Sequence, residues 1–284
     1  MRTILNLLLV TVVTLAPAGV GAAPCDRLSG ERRALADKIT RGTYPYDCCD
    51  ESLDRCLVQK KVCKLARRLR DDICRRVARG EDEKKVRSAI DRRARSMTPG
   101  VKRATIDLGG AEPAGDPKAK VVVVAYACAR CPFCSKVVPD LHRLATAGPL
   151  KGKLALYFKT FPISGHKGSV EGGLAFLAAA RLKRFWAYTL KLYAEYDRFS
   201  TEKLPVWARE VGLDSAAFAR EAGAPKTREL LVAAKKEGLR NGVEATPTLF
   251  INGRKYSGDL DHETLLDVLD EEVDRTESRQ HCGP

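Results

Sequence analysis

The spacing of apolar residues predicts that the first part of the chain is helical. Three stretches repeat apolar side chains at intervals of three and four residues, the period of an amphipathic helix. Gly42 and Gly80 end the first two stretches, and the acidic run 81–83 falls in the first turn of the third. The apolar positions are Leu28, Leu35 and Ile39; Val62, Leu65, Ala66, Leu69, Ile73 and Val77; and Val86, Ala89, Ile90 and Ala94. We therefore predict a small three-helix bundle.

The pattern changes in the second part, where strands and helices alternate. The continuous β-branched run over 120–126 is typical of a buried central strand, and 154–160 predicts a second one. Asn252 and Gly253 form a strong hairpin-turn signal between two short strands. Further helices are predicted over 168–180, 186–196, 204–211, 216–221, 227–242 and 261–273.

The start of the chain resembles a secretory signal. Arg2 provides a positive charge, residues 4–16 form an apolar run, and small residues follow at 21–23. The run is shorter than the roughly 20 residues that span a bilayer, so a cleaved signal peptide over 1–23 is favoured over a membrane anchor. We predict a periplasmic or secreted protein.

The chain has ten cysteines among 284 residues, and their distribution divides it in two. Six lie in the first part, three lie between 128 and 134, and Cys282 lies near the end. A helical unit of this size is marginal on its core alone, so we expect at least two disulfide bridges among the first six. Cys49, Cys56 and Cys63 are seven residues apart and cannot bridge within one straight helix, so they pair across elements or stay reduced.

Charge divides the chain in the same way. The net charge is +14, and residues 24–104 carry 23 basic and 13 acidic residues. Such an excess suits nucleic acid or an anionic membrane, but here the charges alternate in sign and aromatic residues are scarce. We therefore interpret the basic excess as a solvated face, and we predict no nucleic-acid partner.

The candidate chemistry lies directly after the central strand, in Cys131, Pro132, Phe133 and Cys134. A strand, a Cys-x-x-Cys pair and a helix in this order are typical of a redox centre. Pro132 suits the first helical position, which puts Cys131 at the N-cap, where unpaired N–H groups and the helix dipole favour a thiolate. Cys134 follows one turn in, less exposed. A thiolate stabilised in this way makes the couple more oxidising.

Several motifs together resemble the DsbA-like thioredoxin-fold family over about 105–275. They are Cys131 to Cys134, Phe161-Pro162, His166, Phe185-Trp186, and the run from Ala245 to Gly253 with Gly258. The resemblance implies an α/β thioredoxin fold with a helical insertion, preceded here by a small cysteine-rich all-α domain. It also implies that Pro247 is cis beside the sulfurs, and that Pro132, Phe133, Thr246 and Pro247 bind the substrate.

This chain departs from the family pattern at two places, and its first part resembles a second family. Ala125 and Ala127 stand where many relatives place a buried acid before the motif, and Cys128 adds a possible auxiliary thiol. Residues 48–96 are similar to the helical domain of CcmH-type cytochrome c maturation proteins.

The predicted domains are a signal peptide (1–23), a cysteine-rich helical domain (24–98), a linker and first strand region (99–117), the DsbA-like thioredoxin domain (118–276) and a tail (277–284).

These features predict an exported protein disulfide oxidoreductase with Cys131 and Cys134 as catalytic residues. We expect a dithiol oxidase or isomerase with no cofactor and no metal. Its partners are unfolded or cysteine-containing exported proteins and a membrane redox partner that recycles the dithiol. The alternatives are a reductase in cytochrome c or other thiol maturation, a metal site on the three clustered cysteines, an inert structural disulfide, or a peptide-binding module on the same fold.

Overall fold

The computed structural model describes residues 24–277. The predicted signal peptide, Cys282 and all but the first residue of the predicted tail lie outside these residues. The first part contains the helices α1 (Gly30–Arg41), α2 (Leu53–Leu57), α3 (Lys64–Ala78) and α4 (Glu83–Met97). The three predicted helices correspond to α1, α3 and α4. Helix α2 lies in the region predicted as a cysteine-rich loop, because five residues are too few to show a helical period.

Three disulfides join the elements of the helical unit. They are Cys25–Cys74, Cys48–Cys63 and Cys49–Cys56. The expectation of at least two bridges is confirmed. Cys49 precedes α2 and Cys56 lies within it, so this pair bridges two elements and not one straight helix.

The second part is built on one five-stranded sheet with the order β1-β3-β2-β4-β5. The strands are β1 (Ala114–Gly115), β2 (Val121–Ala127), β3 (Leu154–Thr160), β4 (Thr248–Ile251) and β5 (Arg254–Tyr256). Strands β2 and β3 are parallel, and the other neighbours are antiparallel. The predicted central strand is therefore central, and every residue of β2 except Val122 is buried.

Seven helices complete this part. They are α5 (Cys134–Thr146), α6 (Ser169–Arg181), α7 (Phe185–Ala194), α8 (Leu204–Glu210), α9 (Ser215–Gly223), α10 (Pro225–Arg240) and α11 (His262–Glu277). The five helices from α6 to α10 lie between β3 and β4 in the sequence and form the predicted helical insertion. Side chains of α5, α7 and α11 share one core with one face of β2, while Tyr126 and Phe250 pack with Phe161 on the other face.

The hairpin between β4 and β5 is formed as predicted. Asn252 and Gly253 have φ angles of 45° and 81°, the left-handed conformation that this two-residue turn requires. The Asn252 side chain also accepts a hydrogen bond from the backbone N–H of Val122 at 2.7 Å. The turn is thereby tied to the start of β2.

The helical unit packs against α11 and β5 through buried ion pairs. Arg93 on α4 is 1% exposed and contacts Asp267 at 2.6 Å and Glu271 at 2.8 Å, both on α11. Asp72 on α3 lies 3.4 Å from the same guanidinium, and the Tyr46 hydroxyl donates to Glu271 at 2.6 Å. These contacts join the two parts of the chain across a desolvated interface.

The interpretation of the basic excess as a solvated face is wrong for these residues. Other arginines of α3 and α4 also pair with acids of the second part; the pairs are Arg68 with Asp267, Asp270 and Asp274, Arg75 with Asp267, and Arg76 and Arg92 with Asp259. Sequence patterning could not separate them from solvent-facing charges, because their partners lie more than 150 residues further along the chain. Among residues 24–277, none of the helices is both long and apolar enough to cross a bilayer.

Candidate functional site

The two sulfurs of the candidate dithiol lie where β2 ends and α5 begins. Regular helix starts at Cys134, two residues later than the predicted start at Pro132. Local hydrogen bonds explain the later start of the helix. The Lys136 N–H bonds to the Phe133 carbonyl, so the Pro132 carbonyl takes no part in the helical hydrogen-bond pattern. The Ser135 N–H does bond to the Cys131 carbonyl, at 3.2 Å. The predicted capping contact is nevertheless present, because Cys134 N–H donates to the Cys131 sulfur at 3.4 Å.

The surroundings of Cys131 favour its thiolate. The pKa of Cys131 is lowered to about 5, first by a hydrogen bond from the Cys134 thiol, and further by the Cys134 N–H, the Thr246 side chain and the Phe133 N–H. Burial acts in the opposite direction and is outweighed. The thiol form has its own acceptor, the Thr246 carbonyl at 3.1 Å.

The surroundings of Cys134 have the opposite effect. This sulfur is fully buried, and burial raises its pKa far above the ordinary thiol range, with the hydrogen bond to Cys131 adding to the shift. The backbone N–H of Cys128 points at the Cys134 sulfur from 3.5 Å. Two thiols three residues apart are therefore a stabilised thiolate and a shielded thiol.

The loop before β4 faces the dithiol. The Thr246–Pro247 peptide bond is cis, in agreement with what the family resemblance implies. A groove of about 980 Å³ opens beside it. It is lined by Phe133, Lys136, Val137, Pro139, Asp140, Arg143, Thr246, Pro247, Leu260, Asp261 and His262. Of the four predicted substrate-binding residues, three line this groove, while Pro132 is exposed on the surface beside it.

Cys131 is less accessible than the sequence predicts. We expected an accessible sulfur, but the residue is only 2% exposed, because the Thr246 carbonyl and the start of α5 cover it. Phe133 is 67% exposed at the mouth of the groove. The carbonyl that covers this sulfur belongs to Thr246, which also lines the groove.

Cys128, the possible auxiliary thiol, is fully buried next to the dithiol. Its sulfur lies 3.5 Å from His166 Nδ1 and accepts the Arg130 N–H at 3.4 Å. Burial raises the pKa of Cys128. Within residues 24–277, no three His, Cys, Asp or Glu side chains converge so that they could hold a metal ion. The three cysteines lie together as a dithiol with a neighbouring thiol.

The structure also places residues at the site that sequence reasoning missed. The Arg130 guanidinium lies 5.1 Å from the Tyr196 ring centre and 4.6 Å from that of Phe199. An added Cβ on Gly172 of α6 would come within 2.4 Å of the Ala129 side chain. These contacts hold the turn before Cys131 against the helical insertion, and no local sequence signal reports them because the partners are more than 40 residues apart.

Comparison with solved structures gives the same fold. BdbD from Bacillus subtilis (oxidised) has 18% sequence identity and a TM-score of 0.54, covering 61% of this chain and 98% of that one. A thioredoxin-like oxidoreductase from Silicibacter pomeroyi has 24% identity and a TM-score of 0.50, covering 58% and 92%. The thiol-disulfide exchange protein alpha-DsbA2 from Wolbachia pipientis has 20% identity and a TM-score of 0.50, covering 68% and 94%. At these identities the likeness establishes the fold alone.

Curated relatives match the second part within much longer proteins. The Na(+)/H(+) antiporter NhaA 1 of Mycolicibacterium gilvum is 26% identical over 159 residues, which are 55% of this chain and 25% of the antiporter. The corresponding antiporter of Salinispora arenicola is 29% identical over 182 residues, which are 61% and 27%. The chain thus spans about a quarter of the length of these relatives.

A family model matches the second part of the chain as well. The sequence model of the thioredoxin family matches residues 110–271, more than half of the chain and the region that holds the sheet, the dithiol and the cis proline. The chain belongs to the thioredoxin family.

Proposed function

We propose that this protein is an exported thiol–disulfide oxidoreductase that oxidises or rearranges cysteines of other exported proteins, with Cys131 as the attacked sulfur and Cys134 as its partner. The observation that carries the proposal is the opposite effect of the site on the two thiols: the pKa of Cys131 is lowered to about 5 and that of Cys134 is raised. An inert structural disulfide has no need of this difference. The activities named for the solved relatives support the same reaction class.

In the proposed reaction, a substrate thiolate enters the groove and attacks the Cys131 sulfur of the Cys131–Cys134 disulfide. A bond forms between the substrate and Cys131, the Cys131–Cys134 bond breaks, and Cys134 leaves and takes up a proton. A second substrate thiolate then attacks the substrate sulfur of the mixed disulfide and releases Cys131 as a thiolate. The substrate is oxidised by two electrons, and the dithiol holds them.

The direction of the reaction follows from the leaving groups. Because the Cys131 thiolate is stable, it leaves readily from the mixed disulfide, which favours release of an oxidised substrate. We therefore propose a dithiol oxidase or isomerase, recycled by a membrane redox partner. Three disulfides in the helical unit support an oxidising compartment, consistent with export to the periplasm or beyond.

Substrate contact is proposed for Phe133, Thr246 and Pro247. Their support is the groove that they line beside Cys131, with Phe133 presented at its mouth. The Thr246 carbonyl, now paired with the Cys131 thiol, is well placed to accept a backbone N–H of a bound extended chain once the thiol has lost its proton. Pro132, which is exposed beside the groove, is also proposed to contact the substrate.

The test is capture of mixed disulfides. With oxidised glutathione as the oxidant, Cys134→Ser first forms a mixed disulfide between Cys131 and glutathione; a thiolate of a reduced, unfolded substrate protein then displaces glutathione, so a covalent adduct between Cys131 and the substrate should accumulate, whereas Cys131→Ser should give none. The wild-type protein should oxidise the same substrate in the presence of oxidised glutathione. Adducts formed equally through both cysteines, or no adduct with either variant, would reject the proposal. Reduction of substrate disulfides without oxidation of thiols would favour the reductase alternative.

A further inference from the structure

A third sulfur belongs to the same cluster as the dithiol. The Cys134 sulfur contacts the backbone N–H of Cys128 at 3.5 Å, and Cys131 N–H bonds to the Cys128 carbonyl at 3.3 Å. The backbone of Cys128, from which its side chain extends, therefore already contacts the Cys134 sulfur. In the structure its sulfur is turned toward Arg130 and His166. An exchange with Cys134 therefore requires the Cys128 sulfur to leave these partners by rotation about the Cα–Cβ bond.

The surroundings of Cys128 include a group that can take its proton and groups that favour its thiolate, although burial raises the pKa of the thiol. Its sulfur lies 3.5 Å from a His166 ring nitrogen, a Cys–His pair in which the imidazole can take the thiol proton. Backbone N–H groups of Arg130 and Ile163 point at the sulfur and favour the thiolate, and the Lys235 ammonium acts in the same direction. Because burial opposes the thiolate, deprotonation depends on these neighbours.

We propose that Cys128 exchanges internally with the Cys131–Cys134 disulfide, giving a Cys128–Cys134 disulfide and a free Cys131 thiolate. The inference rests on the proposed redox function of the dithiol. His166 takes the Cys128 proton, and the Cys128 sulfur attacks that of Cys134. The Cys128–Cys134 bond forms and the Cys131–Cys134 bond breaks. Cys131 leaves with the electron pair, so no external oxidant or reductant is consumed.

The favoured leaving group sets the direction of this exchange. Of the two sulfurs of the original disulfide, Cys131 is the one that receives the backbone N–H groups of Cys134 and Phe133, and these donors remain after the Cys134 sulfur has joined the new disulfide. The product is an oxidised protein that nevertheless presents a nucleophilic thiolate at the groove. Such a thiolate can attack a wrong disulfide of a substrate. The third cysteine thereby gives an oxidised enzyme isomerase activity without prior reduction.

The direct test is disulfide mapping in full-length Cys131→Ser that also carries Cys282→Ser, so that Cys128 and Cys134 are the remaining thiols. Oxidation with diamide should give a Cys128–Cys134 disulfide, identified by mass spectrometry of non-reduced peptides. Adding His166→Gln should slow its formation at neutral pH on the order of 10²-fold, as expected for loss of a general base. Cys131→Ala replaces Cys131→Ser if the latter does not fold. Free thiols at both positions after oxidation would overturn the proposal.

The functional test uses a substrate protein with scrambled disulfides and no reductant. The fully oxidised wild-type protein should restore native pairing, and both Cys128→Ser and Cys128→Ala should lose this activity while still forming a Cys131–Cys134 disulfide. Equal isomerase activity in wild type and both variants would overturn the inference alone. A wild-type protein that forms no Cys131–Cys134 disulfide at all would instead refute the proposed function.

Discussion

At the scale of single residues, the site makes chemically identical thiols behave in different ways. Cys131 receives hydrogen bonds at the start of a helix, and its pKa falls to about 5. Cys134 is enclosed by apolar side chains, and its pKa rises. Sequence alone predicted this difference from the Cys-x-x-Cys position between a strand and a helix. It did not predict how deeply Cys131 is covered, because the covering carbonyl of Thr246 comes from a loop 115 residues away.

The largest contribution to the low pKa of Cys131 is testable by changing its donor. That donor is the Cys134 thiol, so Cys134→Ala should move the midpoint of Cys131 alkylation from about pH 5 toward the ordinary thiol value of about 8.5. Cys134→Ser is the matched control, because its hydroxyl still donates, and its midpoint should stay lower. The measurement is the rate of iodoacetamide reaction at Cys131 as a function of pH. Equal midpoints in the two variants would contradict this account.

The close approach of Gly172 to the active-site turn gives a second prediction at this scale. Gly172→Ala should destabilise the protein by about 1–3 kcal/mol, because the new methyl group would lie 2.4 Å from the Ala129 side chain. Gly223→Ala is the control, since an added Cβ at this helix end has no neighbour within 4 Å. Urea denaturation should show a lowered midpoint for the first variant only. Unchanged stability in Gly172→Ala would show that α6 can move away from the turn.

At the scale of elements, long periodic segments were predicted well and short or irregular ones were not. Strand β3 has the predicted bounds, and the Asn252-Gly253 turn is present because its sequence alone selects the conformation. Helix α2 was missed, since it is too short to show a period, and the two-residue strand β1 lies within the predicted first strand region over 99–117. The start of α5 was misplaced because a turn precedes the regular helix.

The disulfides of the helical unit close loops of very different length, which gives a prediction about elements. Cys25 and Cys74 are separated by 49 residues, whereas Cys49 and Cys56 are separated by 7. Loop-closure entropy predicts that the longer bridge stabilises the unit by about 1.7 kcal/mol more than the shorter one. Replacing each pair by alanines and measuring urea unfolding tests the difference. A larger loss from the Cys49–Cys56 pair would contradict the entropic explanation.

At the scale of the whole molecule, ion pairs connect the helical unit to the thioredoxin part. Arginines of α3 and α4 face the acidic side of α11, so much of the basic excess of the first part is neutralised within the molecule. Sequence reasoning identified the basic excess of the first part but could not pair these arginines with the acids of α11, because the pairing depends on how the two parts pack. The separation into two parts was visible in cysteine and charge content; their contact was not.

Arg93 is the most buried arginine of this interface and its best test. Arg93→Ala should destabilise the protein by about 3–5 kcal/mol, because Asp267 and Glu271 would each lose the most buried of their arginine partners. Arg95→Ala on the exposed side of the same helix should change stability by less than about 0.5 kcal/mol. Thermal and urea unfolding of both variants measure this. Similar small effects at the two positions would mean that the ion pairs do not hold the interface.

The central claim is that Cys131 and Cys134 form an oxidising redox couple, and its reduction potential tests this most directly. At pH 7, a thiolate with a pKa of about 5 stabilises the reduced form by about 2.3 kcal/mol more than the thioredoxin value of about 7 does, which corresponds to about 50 mV. Equilibration with glutathione buffers, followed by alkylation and mass spectrometry of the peptide that contains both cysteines, should therefore give a potential near −220 mV, against about −270 mV for thioredoxin. A potential at or below that of thioredoxin, or no Cys131–Cys134 disulfide in any buffer, would contradict the account.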